Sequence, residues 1–195
     1  MFIVYAVLAY LIGSIPSGLI IGKIFFNIDV RQYGSKNIGA TNTYRVIGLK
    51  AALPVFLCDA LKGAAGVLLL SNYGPMFMIL GGILGMMGHN WSVFLGFKGG
   101  RGVATGLGVL IALSPLVALI CFLVWGVIVY FTKLVSLGSI IAAALVPILM
   151  FFTGESFWFV GFGGLAALFV IVRHWDNIKR LLAGNELKVE RIKKD

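Results

Sequence analysis

The chain has 195 residues, 60% of them hydrophobic and only 12% charged. That leaves too little polar surface for a soluble globule and too much apolar side chain for a disordered one. Sixteen Lys and Arg against seven Asp and Glu give a formal net charge of +9; beside so much apolar chain, this excess belongs to the faces of a membrane, and no nucleic-acid partner is expected.

Residues 1–22 carry no charge and are long enough to cross the hydrocarbon as a helix, with Pro16 as a kink. No basic segment precedes them and Lys23 follows, an order that fits a retained helix with its N-terminus outside. Residues 27–50 are too polar to span and too rich in Gly, Asn and Thr for a plain linker. A second span covers 51–71 and contains Asp59, Lys62 and Cys58; a third covers 76–95 and takes in His89 and Asn90. A basic glycine turn follows at 96–102, then apolar sequence over 103–132 broken only by Ser114 and Pro115. Further spans are expected at 134–152 and 157–173, ahead of a polar, basic tail over 174–195. Cys58 and Cys121 both lie in apolar runs and are expected to be small buried hydrophobes.

Charge decides whether 103–132 is one helix or two. One helix gives six spans and puts the tail opposite the other basic loops. Two helices, split at Ser114–Pro115, give seven and bring every basic loop to one side, with only Lys62 inside a span. The positive-inside rule favours seven, with the C-terminus cytoplasmic and a short helix at 103–113. The expected fold is thus all-α and polytopic, a single transmembrane catalytic domain over 1–195, with cytoplasmic polar segments at 27–50, 96–102 and 174–195.

Three polar segments then share the cytoplasmic face. The first, Tyr33 to Arg45, gathers Ser35, Asn37, Thr41 and Asn42 with the cations Lys36 and Arg45. The second, Gly88 to Gly108, holds Lys98 and Arg101 among Gly99, Gly100 and Gly102, just before an apolar helix. Glycines ahead of a helix N-terminus expose amides to an anion, and the two cations add full charge; a tight basic turn obeying positive-inside is the plainer reading. The third runs from Arg173 to Glu186, where a helix would align His174 with Asn177 and Arg173 with Asn177 and Arg180. An interfacial stop-transfer helix would explain it as well. Asp59 and Lys62, three residues apart, form an intramembrane pair that is either functional or structural.

These parts suit phosphate handling. A nucleophilic Cys, a GxSxG elbow and a Ser–His–Asp set are absent, and no HxxxxD pair exists, since Phe94 and Lys179 stand five residues beyond His89 and His174. Neither histidine has a companion at metal-ligand spacing, so no metal and no organic cofactor is expected.

The three segments resemble the bacterial acyl-phosphate:glycerol-3-phosphate acyltransferase family (PlsY type). The resemblance runs through Gly13 to Gly18, Gly34 to Arg45, Asp59-x-x-Lys62-Gly63, Gly88 to Thr105, and Arg173 to Glu186. Lys36 stands where that family often has Gly, and Arg101 where it often has Lys. The resemblance implies a seven-helix enzyme of the bacterial plasma membrane, with its site facing the cytoplasm. It implies transfer of a fatty acyl group from acyl phosphate to the 1-hydroxyl of glycerol 3-phosphate, giving lysophosphatidic acid for phospholipid biosynthesis. Membrane lipids and the soluble enzyme that supplies acyl phosphate are the implied partners. On this reading Arg45, Lys98 and Arg101 with the Gly99, Gly100 and Gly102 amides hold phosphate. Ser35, Asn37, Thr41 and Asn42 orient acceptor or carbonyl, His174 and Asn177 close the site beside Arg180, and the departing phosphate takes the hydroxyl proton, with His174 or His89 as the competing base. The rival readings are a transporter of an anion or phosphate ester, an acyltransferase fed by thioesters, and a structural scaffold.

Overall fold

The computed structural model describes residues 1–191; the end of the basic tail, with Lys193 and Lys194, lies outside them. Ten α-helices and three short 3-10 turns account for the regular structure, and the described residues form no strand. The 1–22 stretch is not one helix. Pro16 has no amide proton to continue a ladder, so α1 (Phe2–Ser14) gives way to α2 (Ser17–Phe26) with a 47° bend. A left-handed Asn27 ends α2.

The polar segment that follows is ordered. Asp29 accepts from the Arg31 amide and opens a 3-10 turn, and α3 (Ala40–Val46) completes the segment. Helix α4 (Leu49–Leu69) leads by a 3-10 turn and Gly74 into α5 (Pro75–Asn90). The third apolar stretch therefore ends as helix at Asn90, earlier than composition suggests; Trp91 to Leu95 turn away from the helix axis, and there the Ser92 hydroxyl donates to the Ser14 carbonyl at the end of α1. The 103–132 stretch divides at Ser114–Pro115 into α6 (Val103–Leu113) and α7 (Pro115–Thr132), as the charge count requires. A left-handed Lys133 ends α7. Helices α8 (Val135–Phe152) and α9 (Phe157–Arg173) complete the bundle, and α10 (Trp175–Leu182) turns off α9 at 61°.

Helix α4 is central, packed against α1, α3, α5 and α6, while α8 joins α7 to α9. Leu49–Tyr73, Pro115–Thr132 and Val135–Phe152 are each long and apolar enough to cross a membrane alone, and the α1–α2 and α9–α10 pairs qualify jointly. Large apolar side chains face outward, among them Leu53, Leu57 and Leu61 on α4 and Leu116, Leu119 and Leu123 on α7. A soluble surface would not carry them in such density; lipid covers them at no cost. Cys121 is buried as expected, but Cys58 lies on that outer apolar surface, because it falls on the face of α4 turned from the bundle.

The α4–α6 contact is backbone against backbone. A Cβ on Gly108 would stand 1.8 Å from the Ala60 carbonyl oxygen, and one on Gly63 would stand 2.0 Å from that of Thr105. Small residues permit this approach where no hydrophobic drive exists between helices. Gly108→Val should therefore destabilise the protein by about 1–3 kcal/mol, read as a lowered thermal midpoint in detergent. Gly126→Ala, with open space around the added carbon, should leave that midpoint unchanged.

Candidate active site

A polar cavity of about 110 Å³ gathers residues from all three polar segments. The first segment contributes Ser35, Asn37, Thr41, Asn42 and Arg45; the glycine turn contributes Arg101 and Gly102; the last contributes His174, Asn177 and Glu186. Asp59 and His89 reach it from the bundle. Lys98, Gly99, Gly100 and Arg180, which spacing also places here, are not in its wall.

The first segment holds its shape through Asn42. Its Nδ2 donates to the carbonyls of Val30, Asn37 and Tyr33 at 2.8, 2.9 and 3.2 Å, and its Oδ1 accepts the Ser35 amide at 2.9 Å. Asn42 is thereby spent on the loop, which leaves Ser35 and Thr41 to face the cavity. Asn37 Oδ1 accepts from the Gly39 amide. Gly34 and Lys36 both have positive φ, 59° and 57°, so the residue standing in place of a frequent glycine takes a glycine-like conformation.

The glycine turn rests on a buried chain of polar groups. Lys62 Nζ lies 2.7 Å from Asp59 Oδ1 and donates to the Ile15 carbonyl at the α1–α2 bend. His89 Nδ1 is 3.7 Å from the same carboxylate oxygen. The His89 carbonyl accepts the Gly100 amide at 3.0 Å, and a Cβ on Gly100 would stand 2.0 Å from His89 Nε2. The turn must therefore carry glycine at 100, and that amide is used internally. Arg173 Nη2 donates to the Gly100 carbonyl from the other side at 2.9 Å. The intramembrane Asp59–Lys62 pair thus joins the helix bend to the loop that carries Arg101.

The tail closes over this arrangement. Arg45 donates to the carbonyls of Lys188 and Leu187 at 2.9 and 2.8 Å, and Arg191 donates to that of Ile47. Glu186, buried at 3% side-chain exposure, accepts from Asn177, from Ser136 and from Arg180 at 2.7 Å. Burial raises its pKa, but hydrogen bonds from Asn177, Arg180 and Ser136 outweigh burial and hold the carboxyl below its usual range. Glu186 closes the last motif in the sequence, yet only the fold shows what its carboxylate holds.

Positive charge is in excess. Arg101 makes no side-chain hydrogen bond to any described residue, and burial, with the charges of Arg180, Arg45 and Arg173, lowers its pKa; Glu186 alone opposes them. Burial likewise lowers that of Arg45. Both stay protonated, so the cavity is a place where an anion is worth much. His174 donates from Nδ1 to the Val170 carbonyl at 2.8 Å, since a carbonyl only accepts. Burial brings this ring down to about 4, so at neutral pH it is uncharged with its lone pair on Nε2.

A second cavity, also of about 110 Å³, is almost wholly apolar and is walled by α6, α7, α8 and α9. It shares Phe56, Gly102, Val103, Ala104, Trp125 and Ser139 with the polar one.

Residues 3–184 match the family model described as glycerol-3-phosphate acyltransferase. The chain belongs to the glycerol-3-phosphate acyltransferase family. It is 46% identical over 189 residues to the glycerol-3-phosphate acyltransferase of Fusobacterium nucleatum, covering 96% of this chain and 97% of that one. It is 47% identical over 190 residues to glycerol-3-phosphate acyltransferase 2 of Moorella thermoacetica, covering 97% and 98%. Among solved structures, it is similar to the integral membrane glycerol 3-phosphate acyltransferase PlsY (YgiH) in its glycerol 3-phosphate form. The TM-score is 0.90 at 39% identity, covering 96% of this chain and 94% of that one. The lysophosphatidic acid form of the same enzyme gives 0.89 at 38% over the same shares. All-helical architecture and membrane residence agree with these relatives.

The left-handed Lys36 yields a test that separates loop geometry from charge. Lys36→Gly should leave activity at the wild-type level and raise stability by up to about 1 kcal/mol, read from thermal unfolding.

Proposed function

We propose that this chain transfers a fatty acyl group from acyl phosphate to the 1-hydroxyl of glycerol 3-phosphate, releasing lysophosphatidic acid and phosphate for phospholipid synthesis. The observation that carries the reading is the shared wall between a cationic cavity and an apolar one. An amphiphile with a phosphate at one end and a hydrocarbon chain at the other fits across that wall. The family and the glycerol 3-phosphate form of its solved relative supply the acceptor.

The same reading takes the chain as one catalytic domain of seven spans in the bacterial plasma membrane. The spans are α1 with α2, α4, α5, α6, α7, α8 and α9. The N-terminus lies outside, and the C-terminus and the site face the cytoplasm, where the basic loops belong. The soluble enzyme that makes acyl phosphate is then a partner on that face. Lys98, exposed on the glycine turn, and Arg180, exposed in part, serve incoming anions or the membrane surface there.

Acyl phosphate is a mixed anhydride and needs no enzyme nucleophile. The acceptor hydroxyl oxygen adds to the acyl carbon, and the carbonyl electrons move onto oxygen. Collapse of the adduct breaks the bond from carbon to the phosphate oxygen. The phosphate leaves with that electron pair and takes the hydroxyl proton. The protein has to hold two phosphates together and align hydroxyl with carbonyl. Arg101 and Arg45, crowded by cations and short of anions, hold the phosphates, with the Gly102 end of α6 behind them. Ser35 and Thr41 orient the acceptor. Asn177 and the Nε2 lone pair of neutral His174 position the hydroxyl proton, and Glu186 keeps Asn177 and Arg180 in place.

Purified protein in detergent should release phosphate from acyl phosphate only when glycerol 3-phosphate is added, and should not use the acyl thioesters of CoA or acyl carrier protein. Turnover with a thioester alone, or transport by proteoliposomes without chemistry, would contradict the reading. Arg101→Ala and Arg45→Ala should each lower kcat/KM by about 10²-fold or more. His174→Gln should reduce turnover without abolishing it; complete loss with substrate binding intact would assign the proton to the histidine.

A further inference from the structure

The wall shared by the two cavities is where the reacting carbonyl has to lie, because an acyl carbonyl sits between its hydrocarbon chain and its phosphate. Six residues form that wall, and few of them offer a donor. Phe56 is apolar. Ser139 has turned its hydroxyl back to the Val135 carbonyl at 2.8 Å. Val103 and Ala104 open α6, so their amides have no acceptor within the helix. Trp125 carries the one remaining side-chain donor of the wall, and its Nε1 is buried with no partner among the described residues.

An unpaired indole N–H inside a bundle is costly, and tryptophans that sit indoors normally find an acceptor. This ring is also packed on two sides. It stacks on Phe122 with centroids 5.6 Å apart and planes 18° from parallel. Its Cδ1 edge, next to Nε1, lies against Gly138 of α8, where a Cβ would stand only 3.0 Å away. A ring that lines both cavities and carries an unpaired, solvent-shielded donor is placed to serve an acceptor that arrives with the substrate.

We propose that Trp125 donates its indole N–H to the acyl carbonyl oxygen and stabilises the negative charge which that oxygen gains during transfer. The positive end of α6, at Val103 and Ala104, adds to the same field. Charge develops there only as the acceptor adds, so the bond strengthens in the transition state and acts on kcat more than on substrate affinity. Phosphate binding belongs to the arginines, and Trp125 has no part in it. The inference rests on the acyl-transfer reading above and adds a residue to it.

The test uses the full-length protein in detergent with a sixteen-carbon acyl phosphate as donor. Trp125→Phe keeps the aromatic stack and removes the N–H. Its kcat should fall by about 10²-fold, with KM for glycerol 3-phosphate changed by less than about twofold. A benzothienylalanine at position 125, with sulfur in place of N–H, preserves the shape of indole and covers the case in which Phe loosens the packing. It should show the same loss of kcat at a wild-type thermal midpoint. A benzothienyl enzyme within about twofold of wild-type kcat would overturn the proposal. Wild type run in parallel separates the two readings. If it ignores acyl phosphate and accepts a thioester, the donor assignment fails, and the same pair of enzymes assayed with the thioester still decides the hydrogen bond.

Discussion

Helix α6 is eleven residues long, about 16 Å, and the rest of the site depends on where it begins. A helix of that length falls well short of the roughly 30 Å of hydrocarbon in a bilayer. With its C-terminus tied at Ser114 and Pro115, its N-terminus is held inside the protein, flanked by α4 and α5. The glycine turn is drawn inward with it, and Arg101 comes to a place where burial makes its charge expensive. A full-length helix would have carried the same arginine out to water, where it would be one more loop cation. The short helix also leaves room beside it, and the two cavities meet at its first turn.

Drawing charge inward requires support, and the buried polar chain behind the turn supplies it. Lys62 and Asp59 tie the α1–α2 bend to α4, and His89 carries the connection to the Gly100 amide. On the open side, the tail carbonyls of Leu187 and Lys188 occupy part of Arg45, and Glu186 collects Asn177 and Arg180. One carboxylate among several guanidiniums keeps the tail in place without neutralising the site. The remaining positive charge lies around the polar cavity. The intramembrane pair, which the sequence leaves open between a functional and a structural role, stands at the start of this chain of contacts.

Much of this is legible in the residues. The helix break at Ser114–Pro115 follows from counting basic residues by side, since the cost of moving charge across lipid acts on every loop at once. Arg45, Arg101, His174 and Asn177 can be selected because their neighbours in sequence are unusual for loops. Asn42 belongs to the same stretch, but its four hydrogen bonds go to the loop itself, and no composition rule separates an amide that shapes a loop from one that meets a ligand. Lys98, Gly99 and Gly100 fail to reach the cavity because the turn folds back on the end of α5, with Gly99 against the His89 carbonyl and the Gly100 amide bonded to it, which spacing does not reveal. The clasp of Arg45 on two tail carbonyls is invisible in sequence because every residue has a carbonyl. Trp125 is equally hidden: one tryptophan in an apolar helix carries no signal until the two cavities are seen to meet at its edge.

The central claim is that an acyl phosphate lies across the wall between the cavities. A crystal structure of the protein with a non-transferable acyl phosphonate tests this most directly. The account predicts the phosphonate against Arg101 and Arg45, the carbonyl at the neck formed by Val103 and Trp125, and the chain between α6, α7, α8 and α9. A chain that leaves along another helix face, or a phosphonate bound at Lys98 outside the polar cavity, would contradict it.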